Sequence, residues 1–139
     1  MPQPQDPNEP KGQLTLRISA MPADTNANGD IFGGWVMARM DQAGGIAGVE
    51  RAQGRVVTVK VDGMTFIRPM RVGDVLCVYT DVVRIGRTSL TIEVEAWARR
   101  FMTNVREKVT EATFTFVAID DNGKPRPVPP LEDVPQPQL

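Results

Sequence analysis

Apolar and polar residues alternate near the start of the chain and change their spacing soon afterwards. Between residues 13 and 20 every second residue is apolar, and this period of two predicts a half-buried strand. From about Gly34 to Ala52 the apolar residues recur at three- and four-residue steps, which predicts a helix. The segment between them is dense in turn formers, so we expect a loop of special shape there. The apolar residues of the strand are Leu14, Leu16, Ile18 and Ala20.

Four further strands are predicted after Gly54. They lie within residues 55–67, 74–85, 89–102 and 105–119. In the first of them we expect Val57, Val59 and Val61 to be buried on one face, with a bulge or bend at Gly63. The links between the strands are short, which favours antiparallel pairing.

The predicted order is therefore β-α-β-β-β-β, an α+β fold in which one long helix packs on a five-stranded antiparallel sheet. A helix of about 18 residues is only about 27 Å long, so it cannot cover the whole sheet. The strand at residues 75–79 is apolar on both faces. We expect another subunit to cover part of that surface.

Both ends of the chain differ in composition from this domain. Residues 1–12 and 129–139 are rich in proline, and the enrichment in Pro, Gln, Asp and Glu begins near residue 121. Proline lacks the backbone donor and fixes φ, so it disfavours helix and sheet interiors. We expect a disordered N-terminal tail, a single domain at residues 13–128 and a loosely ordered, proline-rich C-terminal tail.

Composition and charge exclude several classes of partner. The net charge of the 139 residues is −1, so bulk charge favours neither nucleic acid nor a membrane surface. No apolar run approaches the roughly 20 residues of a membrane-spanning helix. The start of the chain lacks the apolar segment of a signal peptide, and the single cysteine, Cys77, cannot form an internal disulfide. We expect a cytoplasmic protein, with Cys77 an inert packing residue.

The chain contains no histidine. This excludes Ser-His-Asp and Cys-His mechanisms and histidine-ligated metal sites within the chain. With one cysteine, a cysteine-rich zinc site is excluded as well. Acid–base chemistry must therefore come from Asp, Glu, Lys or Tyr unless a partner chain supplies the group.

The predicted helix carries a stripe of small residues with one carboxylate among them. The stripe consists of Gly34, Ala38, Asp41, Gly44, Gly45 and Gly48. Each interior glycine costs the helix about 1 kcal/mol relative to alanine, so we expect close approach of another backbone or a ligand. Asp41 then lies in a cleft or is held by a partner group. The alternative is a solvated Asp41 beside glycines that only fit beneath the sheet.

Two short segments offer donors for an anionic ligand. Free N–H groups at Gly33-Gly34 could stabilise an oxyanion, although a turn needing positive φ would use the same residues. Asp30 could cap the helix, the interpretation we favour slightly, or face the same cleft. The turn at Arg87, Thr88 and Ser89 could bind phosphate, but a turn of this kind is common.

These residues resemble a known family. The run MPADTNANGDIFGGWVMARMDQAGG, the segment GRVVTVKVDGMTFIRPMRVGDVLCVY and the GKPRPVP end look like the short bacterial acyl-CoA hydrolases of the YciA type, relatives of the cytosolic long-chain, or brain, acyl-CoA hydrolase. The resemblance covers about residues 14–128. It implies a hotdog fold and a homodimer with the active site at the interface, assembled as a trimer of dimers.

The resemblance also implies residue roles. The catalytic carboxylate is expected at Asp41, with Asp30 a second candidate; two-domain relatives have asparagine there, so the role of Asp30 stays open. Substrate binding and oxyanion stabilisation are expected from Asn26, Phe32, Gly33, Gly34, Val57 and Thr58, and coenzyme A binding from Arg87, Thr88 and Ser89. No metal or cofactor is expected apart from the coenzyme A of substrate and product.

Three other functions compete with thioester hydrolysis. A hotdog dehydratase needs the missing histidine. A non-catalytic acyl-CoA-binding module leaves the carboxylate on the thin helix face unexplained, and a purely structural oligomer leaves the glycines unexplained. The acyl chain length is not fixed by the sequence, since Trp35, Met37, Met40 and Phe66 could all intrude on the pocket.

Overall fold

The computed structural model describes residues 8–136, which form one long helix on one five-stranded antiparallel sheet. The elements are β1 (Gln13–Ser19), α1 (Gly33–Ala52), β2 (Val56–Asp62), β3 (Val75–Ile85), β4 (Ser89–Arg99) and β5 (Arg106–Ala118), with short 3-10 turns at Pro22–Asp24 and Leu131–Asp133. The predicted order β-α-β-β-β-β is confirmed. The predicted disordered tail at residues 1–12 lies, for residues 1–7, outside the described residues.

The sheet order is β1-β3-β4-β5-β2, so β1 and β2 form its two edges. Every pairing is antiparallel. In β1 the alternation holds for Leu16, Ile18 and Ala20, but Leu14 is 46% exposed. The pairing with β3 shifts between Leu14 and Leu16, and this irregularity takes Leu14 out of the alternation.

The core lies between α1 and the inner face of the sheet. Large aliphatic and aromatic side chains from β4 and β5 meet one stripe of the helix, as the three- and four-residue spacing predicts. The largest of these buried side chains include Met40, Leu90, Ile92, Phe114 and Phe116. Met40 is fully buried, so it belongs to the core and cannot line an open pocket.

The small-residue stripe of α1 is two surfaces rather than one. Gly44 and Gly48 face the sheet: a Cβ on Gly44 would lie 2.8 Å from the Phe116 ring, and one on Gly48 would lie 3.2 Å from Val56. A Cβ added at Gly34 or Gly45 would meet no atom within 4 Å. The first pair lets the helix approach the sheet closely, and the second pair leaves a thin, open face beside Asp41.

Cys77, on the outer face of β3, is covered within the chain. Cys77 is 1% exposed and lies opposite Trp97 of β4, which is 3% exposed and donates its Nε1–H to Glu95 at 2.8 Å. Cys77 is therefore buried within the single chain, and this part of the apolar strand does not need the predicted second subunit to cover it. The burial of Cys77 agrees with an inert packing role.

Strand β2 differs most from its prediction. Val57, Val59 and Val61 are 40%, 55% and 41% exposed, because β2 is an edge strand paired only with β5. The register shifts between Thr58 and Lys60, ahead of the predicted bulge at Gly63. Gly63 instead has φ +72° and follows the last strand residue. An open apolar surface is thus found on β2.

The segment after residue 120 is more ordered than its composition predicts. Arg126 donates its backbone N–H to the Ala118 carbonyl at 2.9 Å and its Nε–H to the Ile119 carbonyl at 3.0 Å. Arg51 of α1 donates to the Pro129 carbonyl at 2.7 Å. Side-chain donors thus fix a proline-rich segment that has few donors of its own, and the described residues 121–136 differ from the expected loose tail.

Among residues 8–136, α1 is the only helix of any length, and it is not apolar enough to cross a membrane.

Candidate active site

The carboxylate of Asp41 is held by a strand residue. Thr58 of β2 donates its Oγ1–H to Asp41 Oδ1 at 2.5 Å. The second oxygen of Asp41 has no hydrogen-bond partner among the described residues, and the side chain is exposed in the single chain. The contact with Thr58 agrees with the alternative in which a partner group holds Asp41, whereas the exposure of Asp41 and the close fit of Gly44 and Gly48 against the sheet agree with the other. One oxygen is oriented and the other is free for a ligand.

Asp41 lies at an apolar cavity of about 340 Å³ between α1 and the edge strand β2. The cavity has Asp41 as its single charged lining residue; the others are Gly34, Met37, Ala38, Val61, Met64 and Phe114. A pocket of this size with one oriented carboxylate is typical of a small-molecule site. Helix spacing brings Gly34, Met37, Ala38 and Asp41 to one side of α1.

Asp30 does not cap the helix. The N-cap of α1 is Phe32, which makes no side-chain capping hydrogen bond, and the helix begins at Gly33. The slight preference for Asp30 as the cap is therefore wrong, because the helix begins two residues later than a cap at Asp30 requires. Within the described part of the chain the Asp30 carboxylate has no side-chain hydrogen bond or ion pair, and it is half-buried.

The start of α1 offers free donors. Trp35 and Val36 donate their N–H groups to the Phe32 carbonyl at 3.1 and 3.4 Å, whereas the N–H groups of Gly33 and Gly34 find no acceptor in residues 8–136. Neither glycine has positive φ, so the alternative of a turn that needs this conformation is wrong. Unpaired N–H groups in a first helical turn can stabilise an anionic oxygen.

Asn26, Asp30 and Gly33 line a second cavity, of about 300 Å³, next to Phe66. The Asn26 side-chain oxygen accepts the N–H groups of Asn28 and Asp30 at 2.8 and 3.2 Å. It thus closes the loop before α1 and is already used inside the chain. Asp30 faces this cavity and does not line the cavity of Asp41.

The two parts of the expected site are separated along the helix. Gly34 and Asp41 are seven residues apart, and at 1.5 Å of rise per residue this is about 10 Å. One carbonyl group cannot contact an N–H at Gly34 and the carboxylate of Asp41 in the same chain, since hydrogen bonds require about 3 Å. The single chain therefore holds the expected groups but does not bring them together.

The Arg87-Thr88-Ser89 turn joins β3 to β4 at the end of the sheet where β2 begins. Its backbone carbonyls are occupied: those of Arg87, Thr88 and Ser89 accept from Val128, Ala118 and Gly86 at 2.9, 2.8 and 2.8 Å. Among the residues that the structure describes, the Arg87 guanidinium makes no ion pair, and Arg87 is exposed. It is available to an anionic ligand.

The turn lies within reach of Asp41. Thr58 is opposite Phe116 on β5, and Phe116 is opposite Leu90 on β4. Neighbouring strands are about 4.8 Å apart, so Leu90, which follows Ser89, is about 10 Å from Thr58. A ligand with a long arm could join the Asp41 cavity to the turn.

Two other expected site residues lie at the surface, and two residues that line the Asp41 cavity were not expected. Val57 and Phe32 are exposed at 40% and 52%, at the edge strand and at the helix start. The cavity residues Met64 and Phe114 were not identified from the sequence as site residues, because alternation in a strand cannot tell a core wall from a pocket wall. Within residues 8–136 no group of three or more His, Cys, Asp or Glu side chains could hold a metal ion.

Comparison with known proteins agrees with the geometry. The thioesterase superfamily matches residues 28–100 of the chain. The acyl-CoA thioester hydrolase YciA of Salmonella typhimurium is 56% identical over 125 residues, which cover 88% of this chain and 94% of the relative. The crystal structure of a hexameric thioesterase of Yersinia pestis is 55% identical with a TM-score of 0.86 and covers 88% of this chain and 100% of its own.

A third similar protein carries the fold name. The hexameric hotdog fold thioesterase of Campylobacter jejuni is 40% identical with a TM-score of 0.80, covering 85% of this chain and 91% of that chain. Sequence and architecture thus agree. The chain belongs to the thioesterase superfamily and has the hotdog fold.

Proposed function

We propose that the protein hydrolyses acyl-CoA thioesters to a free fatty acid and coenzyme A. The observation that carries this is the Asp41 carboxylate, oriented by Thr58 at an apolar cavity in a chain without histidine. The relatives named acyl-CoA thioester hydrolases support the same reaction.

Asp41 supplies the base or the nucleophile. As a base, it takes a proton from water while the water oxygen attacks the thioester carbonyl carbon. As a nucleophile, its oxygen forms a mixed anhydride that water then opens. In both routes the C–S bond breaks and the sulfur leaves as thiolate. A thiolate is a good leaving group, so the reaction does not require a histidine acid.

The oxyanion is stabilised by a second copy of the chain. The Gly33 and Gly34 N–H groups are free but about 10 Å along the helix from Asp41, so the donors that face Asp41 come from another α1. Asp30 and Asn26 line the same cavity as Gly33. The exposed Val57, Val59 and Val61 on the edge strand offer an apolar surface for this association.

We propose further that the protein assembles as a trimer of dimers. Relatives from Yersinia pestis and Campylobacter jejuni are described as hexameric. A hexamer built from two-fold dimers needs one interface within each dimer and another between dimers. Light scattering tests the assembly, and a stable monomer at micromolar concentration contradicts it.

The coenzyme A phosphates bind at Arg87, Thr88 and Ser89. The unpaired guanidinium and two hydroxyl groups are donors suited to phosphate oxygens. The turn lies about 10 Å from Thr58 across the sheet, and Val57 lies beside that path. No cofactor takes part apart from the coenzyme A of the substrate, and the protein acts in the cytoplasm.

Release of free thiol from a series running from acetyl-CoA to palmitoyl-CoA tests the activity. We expect hydrolysis of at least part of the series, lost in Asp41→Asn. A protein that binds these thioesters without releasing thiol is instead a non-catalytic acyl-CoA-binding module.

Mixing two inactive variants tests the shared site. Asp41→Asn chains keep the helix-start donors, and Gly33→Pro chains keep the carboxylate. After joint refolding, hybrid dimers contain one site with both intact groups, so we expect part of the activity to return. No recovery, with hybrids demonstrated by differently sized tags, contradicts a site shared between two copies.

A further inference from the structure

The cavity beside Asp41 has walls of two kinds. Its lining is apolar apart from the single carboxylate at Asp41. A site that is charged at one point and apolar elsewhere fits a ligand with a reactive polar head and an alkyl chain. The walls differ in how far they can move.

The wall formed by Phe114 is rigid. The Phe114 ring is 1% exposed and stacks on Phe116, with centroids 6.2 Å apart and planes 15° from parallel. Phe116 in turn lies so close to the helix that a Cβ on Gly44 would be 2.8 Å from its ring. Phe114 therefore has a second ring and the helix backbone behind it, and it cannot retreat without moving both.

The walls formed by Met37 and Met64 can adapt. Met37 is 43% exposed on α1, and Met64 is half-buried just beyond the end of β2. Methionine is unbranched with three rotatable bonds, so its side chain fills irregular space and moves at little cost. Gly63, with φ +72°, ends the strand before Met64 and frees this residue from the sheet pairing.

We propose that this cavity holds the alkyl chain of the acyl group, that Phe114 limits its length, and that Met64 sets which chains are accepted. This rests on the proposed thioesterase function and deepens it by naming the specificity residue. Two other residues that the sequence suggested could limit the acyl pocket lie elsewhere. Met40 is in the core, and Phe66 lines the Asp30 cavity.

Substitution of Met64 tests the proposal by the shape of the chain-length profile. Met64→Phe fills the cavity with a stiff ring and Met64→Ala empties part of it; both are at a half-buried position outside the regular elements, so folding should persist. In Met64→Phe, the ratio of kcat/KM for lauroyl-CoA to that for acetyl-CoA should fall by about four-fold for each methylene excluded. In Met64→Ala the optimum should move to longer chains. The matched control is Met102→Phe, since Met102 is 88% exposed and does not line the cavity.

Binding gives a readout that does not depend on hydrolysis. Calorimetric titration with the thioethers S-ethyl-, S-hexyl- and S-dodecyl-CoA should show affinity rising with chain length in the wild type and rising less in Met64→Phe. If the wild type releases no thiol but affinity follows this pattern, the result supports the proposed acyl-chain site and contradicts the proposed hydrolase function. Chain-length profiles of Met64→Phe and Met64→Ala that run parallel to the wild type, in rate and in binding, overturn the proposal.

Discussion

Thr58 donates a hydrogen bond to Asp41 across the gap between the edge strand β2 and the helix, with 2.5 Å between Oγ1 and Oδ1. The contact joins an element whose alternation predicts a strand to one whose spacing predicts a helix. It fixes one carboxylate oxygen and leaves the other for water or substrate. The orientation of Asp41 therefore depends on the position of Thr58.

Asp41→Asn removes the base while keeping the shape. We expect kcat for thiol release to fall by roughly 10²–10⁴, the range of a positioned acid–base group. The amide can still accept the hydrogen bond from Thr58, so the unfolding midpoint should stay close to that of the wild type.

Asp30→Asn is the companion to that variant. Because Asp30 does not cap α1, a fall in kcat cannot come from a lost cap. We expect a smaller loss than in Asp41→Asn. A wild-type rate in Asp41→Asn with an inactive Asp30→Asn would place the catalytic carboxylate at Asp30.

Thr58→Val tests the positioning of Asp41. The isosteric side chain removes the hydroxyl donor, so the carboxylate loses its orientation. We expect kcat to fall by roughly ten-fold or more, within the range for a group that orients an acid or base, with a smaller change in KM. Thr58→Ser keeps the hydroxyl and should restore most of kcat. Equal losses in Thr58→Ser and Thr58→Val would point to packing instead.

Gly33→Pro tests the donors at the helix start. Proline removes one N–H but suits the first helical position, and the preceding Phe32, at φ −56° and ψ 132°, already has the extended geometry that proline requires. We expect kcat to fall by roughly 10²–10³, as for loss of one oxyanion donor. Gly33→Ala is the matched control, because it adds a Cβ near the Phe66 ring but keeps the N–H. A similar loss of kcat in Gly33→Pro and Gly33→Ala would assign the effect to contact between the added atoms and the Phe66 ring.

Arg87→Ala tests phosphate binding. Loss of the guanidinium should raise KM far more than it lowers kcat, since the contact is made in ground state and transition state alike. Arg99→Ala is the control: Arg99 is at the opposite end of β4 and makes no ion pair among residues 8–136. An unchanged KM in Arg87→Ala means that the phosphates bind elsewhere.

Gly44→Ala and Gly45→Ala compare the two faces of the helix. A Cβ on Gly44 would meet Phe116 at 2.8 Å, so we expect the free energy of unfolding to fall by about 1–3 kcal/mol, as for an overpacked core. Gly45 has open space, and alanine there should raise stability by up to about 1 kcal/mol through helix propensity. Urea unfolding measures both. Equal destabilisation would mean that a second copy packs tightly on Gly45.

Strongly periodic segments were predictable from the sequence. The spacing of α1 gave its start within one residue, and the order of five strands followed from alternation and turns. Val57, Val59 and Val61 were misjudged because alternation identifies the apolar face of a strand but not what covers it. An edge strand in a single chain and a buried strand in an assembly have the same pattern.

The sequence identified Asp41 as a candidate site residue but not the geometry around it. Asp41 was identified from small neighbours on one helix face and from the absence of histidine. Its contact with Thr58 joins residues 17 positions apart on different elements, which no local pattern reveals. The separation of Gly34 from Asp41 follows from helix rise alone, and it supports the second copy that we propose for the site.

The burial of Cys77 has a practical consequence for thiol-release assays. These measurements use reagents with which accessible thiolates react as nucleophiles, and a cysteine 1% exposed is shielded while the protein is folded. Cys77, the only thiol of the chain, should therefore not react with the reagent during turnover, and the signal should come from coenzyme A alone. In a sample without substrate, the rate at which Cys77 becomes reactive would measure the rate of unfolding.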